Sequence, residues 1–277
     1  MSDRIRKHKG VGNRGQRAGV DRWLVGILFL SVLLRVGVAL YLGDVVDAPS
    51  LLTDQRSYHA LGARLVAGYG FSFDSGWYPF TPAETPTAHW SFLYSLFVAA
   101  VYSVFGAHPL AARLVQAVLG GALLPWMVFR LARRMFAVRS RSGPSNRSGV
   151  DRTVALIPYV AAAIATVYGY FVLYAATLMT ETFYIVVLLW SLEVALDIVA
   201  RLQEDEALPA SLPIKAGLSL GLAALLRQSI LPWVPVLFAC LLWAAWRHRR
   251  FVPTVRVLAI VGGLLLVFVL PWTYRNY

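Results

Sequence analysis

Between Trp23 and Gly43 the chain reads WLVGILFLSVLLRVGVALYLG, an apolar run in which Arg35 is the one charged side chain. A helix of about 20 mostly apolar residues crosses roughly 30 Å of hydrocarbon. Similar runs recur, and 58% hydrophobic residues with a mean hydropathy of +0.61 are too apolar for a domain whose surface faces water. Because the runs are continuous rather than alternating, they predict helices and not barrel strands. The sequence therefore predicts an all-α polytopic membrane protein.

The number of crossings follows from run length and charge. The runs that reach or approach the length of a span are 23–43, 109–136, 154–174, 181–200, 215–229, 231–246 and 257–274. A further run, 90–105, has about two thirds of that length. As a crossing it would put the arginine-rich segment 130–152 outside, against the positive-inside rule. We therefore predict about seven crossings, with residues 90–105 forming a juxtamembrane helix in the first outer loop.

The net charge of +12 is compatible with nucleic-acid binding, but the basic residues cluster in short segments between the apolar runs. That distribution orients a membrane protein, so we expect membrane lipids as partners and no nucleic acid. Residues 1–22 are basic and glycine-rich and are predicted to be a disordered cytoplasmic tail. Residues 23–277 are predicted to form one transmembrane module, with 44–108 as its outer loop. Cys240 is the single cysteine, which excludes an internal disulfide and a cysteine-rich metal site.

An acid, Asp54, stands just beyond the first predicted span, in Leu52-Thr-Asp-Gln-Arg-Ser-Tyr-His-Ala-Leu-Gly-Ala-Arg-Leu-Val-Ala-Gly-Tyr-Gly-Phe71. This stretch resembles the pattern D-x-x-x-Y-x-x-x-A-x-x-L-x-x-G-x-G-F, which follows the first spanning helix in one superfamily of GT-C type membrane glycosyltransferases. That superfamily contains the protein mannosyltransferases and the lipid A aminoarabinose transferases. The residues that fit the pattern are Asp54, Tyr58, Leu65, Gly68, Gly70 and Phe71.

Two later segments resemble the same superfamily, Ala112-Arg-Leu-Val-Gln116 and Pro271-Trp-Thr-Tyr-Arg-Asn276. The resemblance implies a glycosyltransferase that moves a sugar, with inversion, from a polyprenyl-phosphate-linked donor to a lipid, glycan or protein acceptor. The distribution of basic residues puts the N-terminus in the cytoplasm and residues 44–109 on the outer face of the cell membrane, where we expect the active site.

Such a transfer needs a base and cations, because the departing lipid phosphate is already a stable anion. A carboxylate can remove the proton of the acceptor hydroxyl as its oxygen attacks the anomeric carbon. The resemblance assigns this role to Asp54; the alternative is an ordinary solvated loop aspartate. Glu181 is the second catalytic candidate. It is either a supporting acid of the site or a residue that complements a helix dipole beside a Thr180 cap.

The planar fork of arginine suits phosphate oxygens. The predicted topology puts three such side chains on the outer side, Arg113, Arg227 and Arg275. Arg227 ends an apolar helix, where an unpaired charge is costly, so we expect it to bind either the donor phosphate or a carboxylate, Glu181 or Asp54. Tyr58 and Trp77 complete the predicted substrate-binding set. The alternative for Trp77 is that it packs the loop instead of stacking on a sugar.

No cofactor is certain from the sequence, but a divalent metal is one candidate. Glu84 and His89, five residues apart in the outer loop, could supply oxygen and nitrogen ligands. The alternative is a loop histidine held by the backbone. The segment also departs from the superfamily, which commonly has Arg/Lys-x-Pro-Pro/Gly-Tyr-Pro where this chain reads His89-Trp-Ser-Phe-Leu-Tyr94.

Charges inside the spans support a rival interpretation. Arg35 and Glu193 are predicted to be structural, as a pair or by reaching toward the membrane surface. If the chain were instead a transporter or flippase of lipid-linked sugars, Arg35, Glu193 and Asp197 would be its functional charges. A noncatalytic or truncated subunit is the third alternative, because chains of the superfamily continue beyond the position of Tyr277.

Overall fold

The computed structural model describes residues 21–46, 54–141 and 148–276. Within these ranges the chain is helical, with isolated bridges at Ser72–Pro86 and Trp77–Thr81 in place of named strands. The predicted all-α class is therefore confirmed. Residues 1–20 of the predicted tail lie outside the described residues.

The described residues form the following helices: α1 Arg22–Leu42, α2 Asp54–Val66, α3 Phe92–Phe105, α4 Pro109–Arg141, α5 Ser148–Val167, α6 Gly169–Ala175, α7 Glu181–Gln203, α8 Ser211–Leu226, α9 Trp233–Arg247 and α10 Phe251–Arg275. A 3₁₀ turn at Gln228–Ile230 leads into α9.

Five of these helices are long and apolar enough to cross a membrane: α1, α4 up to Phe136, α7, α9 with its preceding turn, and α10. A sixth crossing results if α5 from Val154 and α6 are taken together, although the two are bent by 59° at their junction. The remaining predicted crossing corresponds to α8, whose 16 residues span about 24 Å as a helix. Length and composition thus support five or six crossings, and the count of seven stays a prediction.

Contacts between helix ends define two ends of the bundle. At one end, Arg113 near the start of α4 donates to the Gly43 carbonyl just after α1. At the same end, Arg227 after α8 forms an ion pair with Glu181 at the start of α7. We call this the site end. At the other end Arg250, just before α10, pairs with Asp205, just after α7, and we call it the arginine-rich end.

Helix α3 has both of its ends at the site end. The Ser91 hydroxyl at its start donates to the Leu225 carbonyl near the end of α8. Just beyond its last residue, His108 contacts the Asp44 carboxylate, which follows α1. The helix therefore does not pass from one end of the bundle to the other, which is the arrangement predicted for residues 90–105.

Glycines allow two helix pairs to approach closely. A Cβ added to Gly121 of α4 would lie 2.8 Å from the Val32 Cα of α1, and one added to Gly221 of α8 would lie 2.4 Å from the Phe268 ring of α10. Small residues at such contacts let helix backbones pack tightly where lipid tails compete with apolar side chains.

The buried Arg35 of α1 is bound at the break between α5 and α6. Its guanidinium donates to the Ala165 and Thr166 carbonyls at 3.0 and 3.1 Å. The last carbonyls of a helix have no N–H partner within it, and inside a membrane leaving them unpaired is costly. Arg35 thus provides hydrogen-bond donors to the carbonyls at the end of α5. This corrects the expectation that Arg35 pairs with Glu193 or reaches toward the membrane surface.

Glu193 of α7 has different partners. Its carboxylate accepts from Arg130 at 2.7 Å and from Arg134 at 2.8 Å, both on α4. Arg134 also pairs with Asp197, one turn further along α7. These charges therefore tie α4 to α7 toward the arginine-rich end.

Candidate functional site

A cavity of about 290 Å³ lies at the site end, where α2 begins and α8 ends. It brings together the carboxylate of Asp54, the guanidinium of Arg227 and the imidazole of His89. The remaining lining is aromatic, backbone and small polar groups: Tyr58, Ala88, Trp90, Ser91, Phe92, Thr180, Ala224, Leu225, Leu226, Gln228, Ser229 and Trp272. Segments that are distant in the sequence thus meet around Asp54, the acid of the quoted motif.

Asp54 is partly buried at the first position of α2. Burial raises the pKa of its carboxyl above the ordinary value, and the negative charge of Glu181 raises it further. The positive charges of Arg227 and His89 act against this increase in pKa. A carboxylate with a raised pKa binds a proton more strongly, which suits a general base.

The side chains of Glu181 and Arg227 form an ion pair. The Arg227 side chain keeps 42% of its surface exposed, and that of Glu181 keeps 19%. Of the partners expected for Arg227, the structure provides the carboxylate. Thr180 makes no side-chain cap hydrogen bond to α7, so the predicted Thr180 cap is corrected. Its hydroxyl instead donates to the Glu181 carboxylate at 3.4 Å.

Gln55 fixes the helix that carries Asp54. It is fully buried, and its Oε1 accepts from Arg113 at 2.8 Å and from the Leu178 backbone N–H at 3.1 Å. Arg113 is fully buried as well and also donates to the Gly43 carbonyl at 2.6 Å. The structure therefore places Arg113 outside the cavity and gives it a positioning contact, in place of the predicted contact with substrate.

A second buried amide holds the link between α6 and α7. Nε2 of Gln116 donates to the Tyr174 and Thr177 carbonyls at 2.7 and 2.6 Å. Its Oε1 accepts from the Tyr94 hydroxyl of α3 at 2.6 Å. Since this link leads to Thr180 and Glu181, Gln116 positions one wall of the cavity. Sequence reasoning noticed Gln116 only as part of a pattern and gave no role to Gln55 or Tyr94.

Aromatic rings surround the base of the cavity. Tyr58 makes edge contacts with Trp90 and Tyr94, with ring centroids 5.6 and 4.7 Å apart. Burial raises the pKa of the Tyr58 hydroxyl. The Trp90 indole N–H is buried and has no hydrogen-bond partner. Tyr58 thus lines the cavity as predicted for a substrate-binding residue, next to a donor that is still unused.

Trp77 does not line the cavity. Its ring stacks on Phe73 with centroids 4.6 Å apart, and its indole N–H donates to the Ser57 hydroxyl of α2 at 2.9 Å. The structure therefore favours the alternative in which Trp77 packs the outer loop. The exposed aromatic at this place is its neighbour Tyr78.

Arg275, at the end of α10, holds the same loop. Its guanidinium donates to the Thr87 carbonyl at 2.6 Å and to the Phe71 carbonyl at 3.3 Å. It also lies over the Trp272 ring, 4.9 Å from the centroid. Trp272 lines the cavity but Arg275 does not, so the structure shows Arg275 as a clamp on the loop, and its contact with a phosphate stays a prediction.

The two predicted metal ligands have different environments. Glu84 is exposed and forms an ion pair with Arg64 of α2 at 2.5 Å. His89 lines the cavity and makes an edge contact with Trp90, with centroids 5.2 Å apart. Among the described residues no group of three or more His, Cys, Asp or Glu side chains could hold a metal ion. The predicted divalent metal therefore stays a prediction.

An apolar groove of about 370 Å³ adjoins the cavity. Leu226 lines both, and Tyr94 of the groove contacts Tyr58 of the cavity. The other groove residues come from α3, α4, α7 and α8: Leu93, Leu96, Phe97, Leu119, Phe183, Val187 and Leu222. A polar cavity and an apolar groove thus lie side by side, which suits a ligand with a charged head and a hydrocarbon chain.

Comparison of the chain with protein-family models, curated proteins and solved structures gives no match. The functional interpretation therefore rests on the motif residues and on the geometry of the cavity.

Proposed function

We propose that this chain is a GT-C type glycosyltransferase that moves a sugar from a polyprenyl phosphate to an acceptor on the outer face of the cell membrane. The observation that carries the proposal is the meeting of Asp54 and Arg227 in one cavity. One is a carboxylate with a raised pKa, and the other is a partly exposed guanidinium. These are the base and the cation that the reaction requires.

The reaction forms one bond and breaks one at the anomeric carbon. The acceptor hydroxyl oxygen attacks that carbon while Asp54 takes the hydroxyl proton. The bond from the carbon to the phosphate oxygen breaks, and its electron pair leaves with the lipid phosphate. Arg227 holds the negative charge of the leaving phosphate. Attack from the face opposite the phosphate gives inversion.

The ion pair between Glu181 and Arg227 sets a condition on donor binding. The donor phosphate must share Arg227 with the Glu181 carboxylate or displace it. Glu181 then acts as the residue that holds Arg227 before the donor binds, and Arg113 and Arg275 act through their contacts with Gln55 and the outer loop.

The apolar groove beside the cavity is the proposed binding site for the polyprenyl chain of the donor. Its lining is almost entirely apolar, and it shares the Leu226 side chain with the cavity. A polyprenyl chain there would keep its phosphate close to Arg227. A water-soluble nucleotide sugar would have no use for such a channel, because its leaving group carries no hydrocarbon.

The proposed topology has seven crossings, with the site end outside. Helix α8 is the seventh, because its start follows the arginine-rich end and its end reaches Arg227. Arginines at the opposite end then face the cytoplasm. Reporter fusions after Arg250 are expected to report cytoplasm, and fusions after Gly76 the outside. The reverse result would overturn this orientation.

A second candidate, a transporter or flippase of lipid-linked sugars, is favoured by the 59° break between α5 and α6. Broken helices near buried charges occur in transporters, and Arg35 binds the carbonyls at this break. In that case Arg35 would matter for movement of the lipid, and Asp54 would be dispensable.

The deciding experiment is transfer of a radiolabelled sugar from polyprenyl phosphate into membrane products. Asp54→Asn removes the base without changing the size of the side chain, and we expect at least about a hundredfold loss of transfer with normal membrane insertion. The matched control is Glu206→Gln, which neutralises an exposed acid of the arginine-rich end and should retain wild-type transfer. Unchanged transfer by Asp54→Asn would refute the proposed site.

A further inference from the structure

Two large aromatic side chains project from the outer loop into solvent. Phe80 is 96% exposed and Tyr78 is 73% exposed, and they flank Pro79. Exposed apolar surface of this kind marks an interaction site when the structure holds it in place. We call Tyr78-Pro79-Phe80 the aromatic tip.

The aromatic tip is held in place by its base. Trp77 and Thr81 exchange two backbone hydrogen bonds, of 2.8 and 2.9 Å, which close the tip into a short hairpin. The base is tied to the remainder of the loop by the Thr81 and Thr87 hydroxyls, 3.3 Å apart, and Thr87 is in turn bound by Arg275. The tip therefore stays exposed although apolar residues such as Phe73 are buried directly below its base.

The aromatic tip is continuous with the cavity. The Tyr78 ring makes an edge contact with His89, with centroids 6.2 Å apart, and His89 contacts Trp90. Both His89 and Trp90 line the cavity that contains Asp54. A row of rings thus runs from the proposed base to the exposed Phe80 side.

The surroundings of the aromatic tip are polar and acidic. Asp74 and Ser75 precede it in the sequence, and Glu84 and Thr85 follow it, all with exposed surface. Glu84 is paired with Arg64, whose side chain is mostly buried, so Asp74 is the flanking acid that keeps its negative charge toward solvent. A segment that inserts into anionic lipid would be expected to carry basic flanks instead. Carboxylates and hydroxyls beside aromatic faces suit a polyol, because sugar hydroxyls bond to the oxygens while the polarised C–H face of the ring packs on the aromatic.

We infer that the aromatic tip and His89 bind a saccharide, the sugar portion of the acceptor, and lead it to Asp54. The inference rests on the proposed function only for calling this saccharide the acceptor. Tyr78 would be the main contact, because it joins the exposed tip to the cavity. Phe80 would cover the next ring of a longer chain.

Binding is tested without relying on transfer, by saturation-transfer difference NMR on the protein in nanodiscs. The probes are cellobiose, mannobiose, chitobiose and lactose. We expect at least one disaccharide to give a saturation signal on its ring C–H protons. Tyr78→Ala should weaken its affinity about three- to tenfold, the range for one aromatic contact. Tyr69→Ala, which removes another exposed aromatic of the same loop, should change it less than twofold.

Three outcomes would overturn the inference. They are the absence of a signal from all four disaccharides, equal affinity of wild type and Tyr78→Ala, and burial of the tip in lipid. Burial is measured with a fluorophore on Phe80→Cys in a Cys240→Ser background, quenched by spin-labelled lipids. Failure of the proposed function gives a different result: Asp54→Asn would transfer sugar normally, while disaccharide binding at the tip could persist.

Discussion

Replacement of Gln116 by leucine is expected to destabilise the protein strongly, because this buried amide makes three short hydrogen bonds. The substitution leaves the Tyr94 hydroxyl and the Tyr174 carbonyl without their partner, whereas the Thr177 carbonyl keeps the backbone N–H of Met179. An unsatisfied buried polar group costs about 1–3 kcal/mol. Even at the low end, the two groups together lower the free energy of unfolding by about 2 kcal/mol.

Thermal unfolding in nanodiscs measures this loss. For a domain of this size about 1 kcal/mol lowers Tm by roughly 2–4 °C, so Gln116→Leu should lower Tm by about 4–8 °C. The matched control is Gln203→Leu, the same chemical change at an exposed position of α7, for which Tm should stay within about 2 °C.

A double-mutant cycle separates the Tyr94 contact from the others. Tyr94→Phe removes the hydroxyl that Gln116→Leu leaves unpaired, so the two losses together should be smaller than their sum. Strict additivity, or a Gln116→Leu protein as stable as wild type, would refute the hydrogen-bond network drawn from the structure.

Two further results are expected. Glu181→Gln should shift the acidic limb of the transfer pH profile to lower pH. The substitution removes a negative charge that raises the pKa of Asp54, and it frees Arg227, whose positive charge lowers that pKa. The Asp54 carboxylate then stays ionised at more acidic pH, and a shift of the limb to higher pH would contradict this account. Arg275→Gln should speed amide hydrogen exchange of the outer loop that contains Phe71 and Thr87 by at least about tenfold. The control Arg256→Gln, at an exposed position on the opposite end of α10, should leave that exchange unchanged. Equal exchange rates in both variants would argue against the clamp.

The sequence predicted the helical class and most helix positions because hydrophobic run length is a local property. It also indicated that residues 90–105 stay at one end, since the charge of the following segment opposes a crossing. The break within 154–174 was missed. At that break the free carbonyls are bound by Arg35, a residue about 130 positions earlier, and no pattern within 154–174 reveals that contact.

Site residues were predictable only where a motif marked them. Asp54 and Arg227 meet in the cavity as expected, but Arg113 and Arg275 turn toward backbone carbonyls instead. The sequence around an arginine does not tell whether its guanidinium binds a phosphate or a loop, because its partner depends on which unpaired backbone carbonyl lies within reach in the folded chain. Gln55 was missed, although its place next to the predicted base was the available signal.

The contact of Arg35 with the α5 carbonyls has a consequence for biosynthesis. These groups are separated by about 130 residues, so the ribosome needs roughly 6–26 s after making Arg35 to deliver its partners. During that interval the Arg35 guanidinium has only its hydrogen bonds to Ser31 of the same helix, and a cation within a span is costly in lipid. Its integration is therefore coupled to the arrival of the fifth helix, and a lesion at Ala165 or Thr166 should be seen first as degradation of the newly made chain.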